Sequence, residues 1–285
     1  MPATVHIIGA SGRSGAAICR SLSADGVPFV PVVRDAARWR ATGLRETPRV
    51  ADLADAARLR QALAGSTRIV SCAHARYTQH VLAGAPACAR LVLLGSTRKF
   101  TRWPDEHGNG VLAGEAAFLA SGRCGVMLHS TMIYGAQGED NVQRLAALLR
   151  RLPFVPLPGG GKAMVQPIHQ DDVTRAVRAA LDRAWHGAHA LVIAGPAPLP
   201  YADFVRAVAV AAGQRSPRIV ALPAGPLMAF ARVLRYIPVL PPVRPQEIRR
   251  LMEDKTFDVH PMIDTLGFAP MSLSTGLTST FASRS

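Results

Sequence analysis

Lysine is nearly absent from this chain. Lys99, Lys162 and Lys255 are the only three in 285 residues, so arginine carries most of the formal net charge of +14. The arginines run from Arg13 to Arg284 without a polybasic block, and no zinc-finger spacing or aromatic–basic motif accompanies them. That pattern argues against nucleic acid as a partner. It leaves an anionic surface, an anionic small ligand or an arginine-rich coding preference as its meaning. Cysteine is scarce as well: Cys19, Cys72, Cys88 and Cys124 form no CxxC pair. Three of them fall in expected helices or strands, where they read as small core residues of a protein in a reducing, cytoplasmic compartment. No metal site is expected. Long apolar runs are missing too. The stretch PLMAFARVLRYIPVLPP is short and broken by Arg232 and Arg235, which excludes a spanning helix but leaves an amphipathic one. Nor does the start show a charged-then-apolar leader pattern. There is no internal repeat and no low-complexity tract.

What is present is alternation. Short apolar runs at TVHIIG, VPFVPVV, RVADL, TRIVSCA, RLVLLGS and CGVMLHST are separated by segments with helical spacing such as SGAAICRSLSADG and ADAARLRQALAG. Strand–helix alternation at this interval predicts an α/β fold, a Rossmann-like doubly wound parallel sheet covered on both faces. The texture changes near residue 153, where LPFVPLPGGGKAM reads as a Pro- and Gly-rich loop. Residues 1–152 are therefore expected to form the nucleotide-binding domain, with later segments returning to it. Residues 153–285 are expected to form mainly a smaller C-terminal substrate lobe over the strand ends.

The first strand runs into GASGRSG, with Gly9, Gly12 and Gly15 between strand and helix. Glycines there let the backbone approach a pyrophosphate at the helix N-terminus, with Arg13 and Ser14 inside the turn. The second strand ends VVRD. An acidic residue at that point reads the ribose 2′-OH, whereas an arginine accommodates a 2′-phosphate. Arg34 takes the terminal position and Arg13 adds a second cation, so NADP(H) is the expected cofactor; the other reading gives Asp35 the ribose and leaves Arg34 solvated.

On these motifs the chain resembles the short-chain dehydrogenase/reductase superfamily, in its extended and atypical branch related to sugar-nucleotide epimerases and dehydratases. GASGRSG, Asp52–Leu53, SCAH, GST at 95–97, STMIYG at 130–135, QPIHQDDV at 166–173 and the closing FDVHPMIDTLGFAP carry the resemblance over nearly the whole length. It implies that Asp52 and Leu53 touch adenine, that Ala73 and His74 pass close to the cofactor, and that Tyr134 lies near the nicotinamide. His169 matches in position and is either a substrate contact or structural. The resemblance also implies a Tyr-x-x-x-Lys pair on the helix after the fifth strand, where the lysine lowers the tyrosine pKa for proton exchange. No such pair exists here: Tyr77, Tyr134, Tyr201 and Tyr236 are followed four residues later by Val81, Gly138, Val205 and Leu240. With Glu115 as anchor, His107 falls at the tyrosine position and Val111 at the lysine position.

Two expectations follow. Either substitutes do the chemistry, with His107 as acid/base, Ser96 and Thr97 orienting the substrate oxygen, and Lys99 stabilising negative charge. The protein then transfers hydride to or from a carbonyl or hydroxyl carbon of a small, sugar-nucleotide-like molecule. Or the chain binds NADP(H) without catalysis, as a sensor or assembly protein. In that case the segment 225–250 is a docking surface for a protein or membrane rather than lobe packing.

Overall fold

The computed structural model describes residues 4–135, 141–152, 154–227 and 245–282. The chain divides into two compact units. The first comprises residues 1–131, 170–193 and 260–268.

In the first unit, strands β1 (Val5–Ile8), β2 (Phe29–Val33), β3 (Arg49–Val50), β4 (Arg68–Ser71), β5 (Arg90–Ser96) and β6 (Gly125–Ser130) alternate with five helices. These are α1 (Arg13–Ala24), α2 (Ala36–Arg40), α3 (Ala56–Ala62), α4 (Thr78–Gly84) and α5 (Glu106–Ala120). Helix α7 (Gln170–Asp182) and strand β11 (Ala188–Ile193) return from later in the chain. All seven strands pair in parallel, in the order β11-β6-β5-β4-β1-β2-β3. Strand order reverses between β1 and β4, which opens a crevice at their carboxyl ends. Apolar side chains such as Ile8, Ile69, Leu91, Phe118 and Met127 form one continuous core cluster. The strands are nearly continuous apolar runs because helices cover both faces.

The second unit comprises residues 132–169, 194–259 and 269–285. Its strands are β7 (Ile133–Tyr134), β8 (Phe154–Pro158), β9 (Met164–Val165), β10 (Ile168–His169), β12 (Leu199–Pro200) and β13 (Arg218–Leu222), and its helices include α6 (Asn141–Leu149) and α8 (Tyr201–Ala211). The strands pair two by two: β10 with β7, β12 with β9, and β13 with β8. The chain crosses into this unit after Thr131, some twenty residues before the change in composition. The segment expected to be a loop holds β8, paired in parallel with β13. Its prolines are tolerated because a two-stranded ribbon leaves one edge of each strand without a ladder partner.

Of the four free cysteines only Cys19 is buried; Cys88 and Cys124 are exposed, so the core reading does not extend to them. Of the candidate docking segment 225–250, residues 228–244 lie outside the described residues. Among the described residues no helix is long and apolar enough to cross a membrane.

Candidate functional site

The glycine turn sits at the topological switch point. Gly9 adopts a left-handed φ of +76°, and a Cβ there would lie 3.3 Å from the Ala73 nitrogen at the end of β4. The turn is therefore packed against the next strand's exit. Gly12 N–H donates to the Gly9 carbonyl at 2.9 Å. A Cβ on Gly15 would stand 2.3 Å from the Gly9 oxygen, so α1 crosses the turn at a distance only glycine permits. Helix α1 has no side-chain cap at Gly12 and no acidic residue in its first turn. Backbone donors left without side-chain partners at a helix start form an anion cradle, and a pyrophosphate fits this one. Ser14 is held by its neighbour in α7, donating to Gln170 Oε1 at 3.0 Å.

At the end of β2, Asp35 caps the next helix through one carboxylate oxygen. Its Oδ1 accepts from the Ala37 and Arg38 N–H groups at 2.8 and 3.2 Å, capping α2. Arg34, immediately before it, is exposed. Asp52 is used in the same local way, accepting from Ala54 N–H at 2.9 Å, while Leu53 packs against the core cluster.

After β4, His74 accepts from the Arg76 N–H through Nδ1 at 3.0 Å and meets the His107 ring edge-on at 4.2 Å. Burial, then the neighbouring His107 and Arg76, hold its pKa down at about 4. It is a neutral imidazole at physiological pH. Its buried Nε2 has no hydrogen-bond partner among the described residues. His107 itself is exposed at the start of α5.

The end of β5 is tightly organised. Ser96 Oγ accepts from Arg98 N–H at 3.2 Å, which leaves the hydroxyl hydrogen for another acceptor. Thr97 is buried and donates to the Ser130 carbonyl of β6 at 3.2 Å. Lys99 is not solvated: its Nζ donates to both Glu115 oxygens at 2.6 and 2.7 Å. Glu115 Oε1 is also 3.3 Å from His129 Nε2, and His129 is almost fully buried.

In the sequence Glu115 stands out only as the anchor that places His107 and Val111, and Lys99 and Glu115 give no sign of a third partner at His129. A signal for their meeting does exist in LLGST. Gly95 pairs in register with His129 across β5 and β6, and a Cβ at Gly95 would lie 2.3 Å from His129 Nδ1. A glycine inside a strand marks such a close approach.

Tyr134 and His169 lie together in the second unit, with ring centroids 5.1 Å apart. Tyr134 is 1% exposed and belongs to an apolar cluster with Val142, Phe204 and Leu277. Its hydroxyl would be 2.1 Å from a Cβ on Gly276. His169 Nε2 is 3.4 Å from Thr280 Oγ1. Both residues are buried there. Among the described residues no cluster of potential metal ligands occurs.

Residues 9–107 match the model of a family described as NAD(P)H-binding. The fold is similar to that of an NADPH-dependent quinone oxidoreductase from Escherichia coli solved with NADPH. The TM-score is 0.76 at 19% identity, covering 97% of this chain and 99% of that one. It is also similar to MoeE5 in complex with UDP-glucose and NAD, with TM-score 0.73 and 19% identity over 98% and 97% of the two chains. A UDP-glucose 4-epimerase from Thermotoga maritima matches at TM-score 0.74 and 13% identity over 98% and 97%. No curated protein matches the chain in sequence.

Residues 9–107 thus form an NAD(P)H-binding domain, in a Rossmann-like fold shared with these NAD- and NADPH-binding proteins. The matched segment holds the glycine turn, Arg34, His74 and Ser96. The helix after the fifth strand departs from the pattern that the resemblance implies. Position 111 of α5 is a core valine, 1% exposed, and position 107 is an exposed histidine, so no phenol–ammonium pair stands there.

Proposed function

We propose that the protein is an NADP(H)-dependent reductase acting on electron-poor carbonyl compounds of the quinone type. The observation that carries the cofactor choice is the capping role of Asp35. One Asp35 oxygen is spent on capping α2, and the exposed Arg34 beside it suits a 2′-phosphate. Arg13, exposed in the glycine turn, adds a second guanidinium.

The reaction class follows from the missing phenol. Oxidation of a sugar alcohol sends hydride from the carbinol carbon and needs a general base for the hydroxyl proton, and the first unit offers no Tyr-x-x-x-Lys pair for it. Bound NADPH supplies the hydride. Addition to a quinone-type acceptor leaves a delocalised, weakly basic oxyanion that takes its proton from water or a histidine without a lowered tyrosine pKa. Ser96, with its hydroxyl hydrogen uncommitted, orients the acceptor oxygen. Lys99, held by Glu115, adds positive charge near the end of β5 as negative charge develops. Thr97 anchors this segment to β6. His107, exposed beside His74, exchanges protons with solvent. The quinone oxidoreductase and the UDP-sugar epimerases share this fold; the missing phenol favours the former as a guide to chemistry.

The cofactor reading is tested by titrating NADPH and NADH into the protein. NADPH is expected to bind at least about tenfold more tightly, roughly 1.4 kcal/mol, and Arg34→Ala to remove most of that difference. Equal affinities in the unmutated protein would overturn the Arg34 assignment.

A further inference from the structure

Three elements meet behind the end of β5. Lys99 comes from the 97–100 turn, Glu115 from the second half of α5, and His129 from β6. Their side chains are 11%, 13% and 1% exposed. A buried ion pair is weak evidence for stability, because well-packed apolar residues of similar volume hold elements together at least as well. The fold nevertheless gives up a side chain at Gly95 to admit the His129 ring. The residue after Gly95 is Ser96, and the residue after His129 is Ser130, whose carbonyl receives the Thr97 hydroxyl. Arg98, between Thr97 and Lys99, is ion-paired with Asp105, which caps α5. Every residue from 96 to 99 is thus tied by its side chain, and the Lys99 tie runs through Glu115 to His129.

We propose that Glu115 and His129 are positioning residues that act through Lys99 to fix the Ser96–Lys99 segment in its working geometry. This rests on the reductase reading above and deepens it. Glu115 fixes the Lys99 ammonium by two short hydrogen bonds. His129, neutral and wedged over Gly95, sets where Glu115 can sit. Lys99 and Glu115 are the charged groups that influence His129: the cation opposes protonation of the imidazole and the carboxylate favours it. Groups that position a reacting side chain change turnover more than affinity, because the reacting geometry tolerates displacements of only a fraction of an ångström.

The test uses the full chain with His129→Gln, Glu115→Gln, Lys99→Met and the Glu115→Gln/Lys99→Met double variant. Three quantities are measured: NADPH affinity, kcat and KM with NADPH and a soluble benzoquinone, and the His129 imidazole NMR titration without cofactor. Each single variant is expected to lower kcat about tenfold or more while NADPH affinity stays within about twofold. The double variant should be no worse than the poorer single, as for residues acting as one unit. In the titration, Lys99→Met should move His129 toward its ordinary range, since the opposing cation is gone and Glu115 remains. Normal kcat in the variants, a double variant whose losses multiply, or an unmoved His129 titration would each overturn the positioning role. A wild-type protein that binds NADPH yet reduces no quinone would instead overturn the reductase reading, and the positioning role with it. The wild-type assay distinguishes the two failures: the positioning role alone fails only when the wild type reduces quinone and the variants do so equally well.

Discussion

Gly15→Ala is expected to weaken NADPH binding by about a hundredfold or more. The new methyl would stand 2.3 Å from the Gly9 oxygen and 2.9 Å from the Ala10 Cα. Both obstacles are backbone, so relief requires α1 to move away from the turn. That movement takes the helix N-terminus and its backbone N–H groups away from the place a pyrophosphate would take, where several donors act together. The overpacking itself costs about 1–3 kcal/mol of stability. Gly12→Ala is the graded comparison, because its Cβ meets only the Gly9 oxygen, at 3.1 Å. It should bind NADPH better than Gly15→Ala. Isothermal titration alongside urea unfolding separates the binding loss from the stability loss. Unchanged NADPH affinity in folded Gly15→Ala would remove the glycine turn from the cofactor site.

The second large effect is acid destabilisation. His129 and His74 are both held down at about 4, chiefly by burial, with Lys99 next in influence on His129 and His107 on His74. In the unfolded chain both return to the usual 6.5. Between those values the unfolded state binds more protons than the native one, so stability rises with pH there. Read downward, stability is fully present above about 6.5, is lost as pH falls toward 4, and levels off once both states are protonated. For the buried His129 the loss is on the order of 1–3 kcal/mol. Urea midpoints taken across this range should fall with pH, and His129→Gln should flatten the fall. A His129→Gln profile parallel to that of the wild type would contradict the neutral, buried imidazole.

The parallel sheet was legible in the sequence because its strands, the two-residue β3 excepted, are largely apolar runs of four to seven residues. Covered parallel strands must read that way. The glycine turn was legible for the same reason: its position after the first run fixes its place at the switch point. Asp35 was harder to read. Sequence alone left it competing with Arg34 for the ribose, and only the two backbone N–H groups it accepts show that it is a helix cap.

Strand β8 was misread as loop because FVPLP carries two prolines, and its pairing partner β13 lies some sixty residues later. No local signal reports that pairing. The Lys99–Glu115–His129 cluster was hidden similarly. Its members belong to three elements, and no spacing rule links residues across a strand, a helix and a turn. Gly95 was the one trace of it, a missing side chain in one strand that marks a ring in the next. Tyr134 stands in an STMIYG motif that invites a place beside a nicotinamide, and the structure buries it against Val142, Phe204 and Leu277.

The most direct test of the central claim is a single-turnover experiment. Protein saturated with NADPH deuterated at one face of C4 is mixed with a soluble benzoquinone, and the nicotinamide absorbance is followed without oxygen. The account predicts loss of one NADPH per quinone reduced, a primary isotope effect for one deuterated face only, and a slower reaction in Ser96→Ala at unchanged NADPH affinity. Tight NADPH binding with no oxidation of the bound nicotinamide by any quinone would contradict it and would make the protein a binder rather than a catalyst.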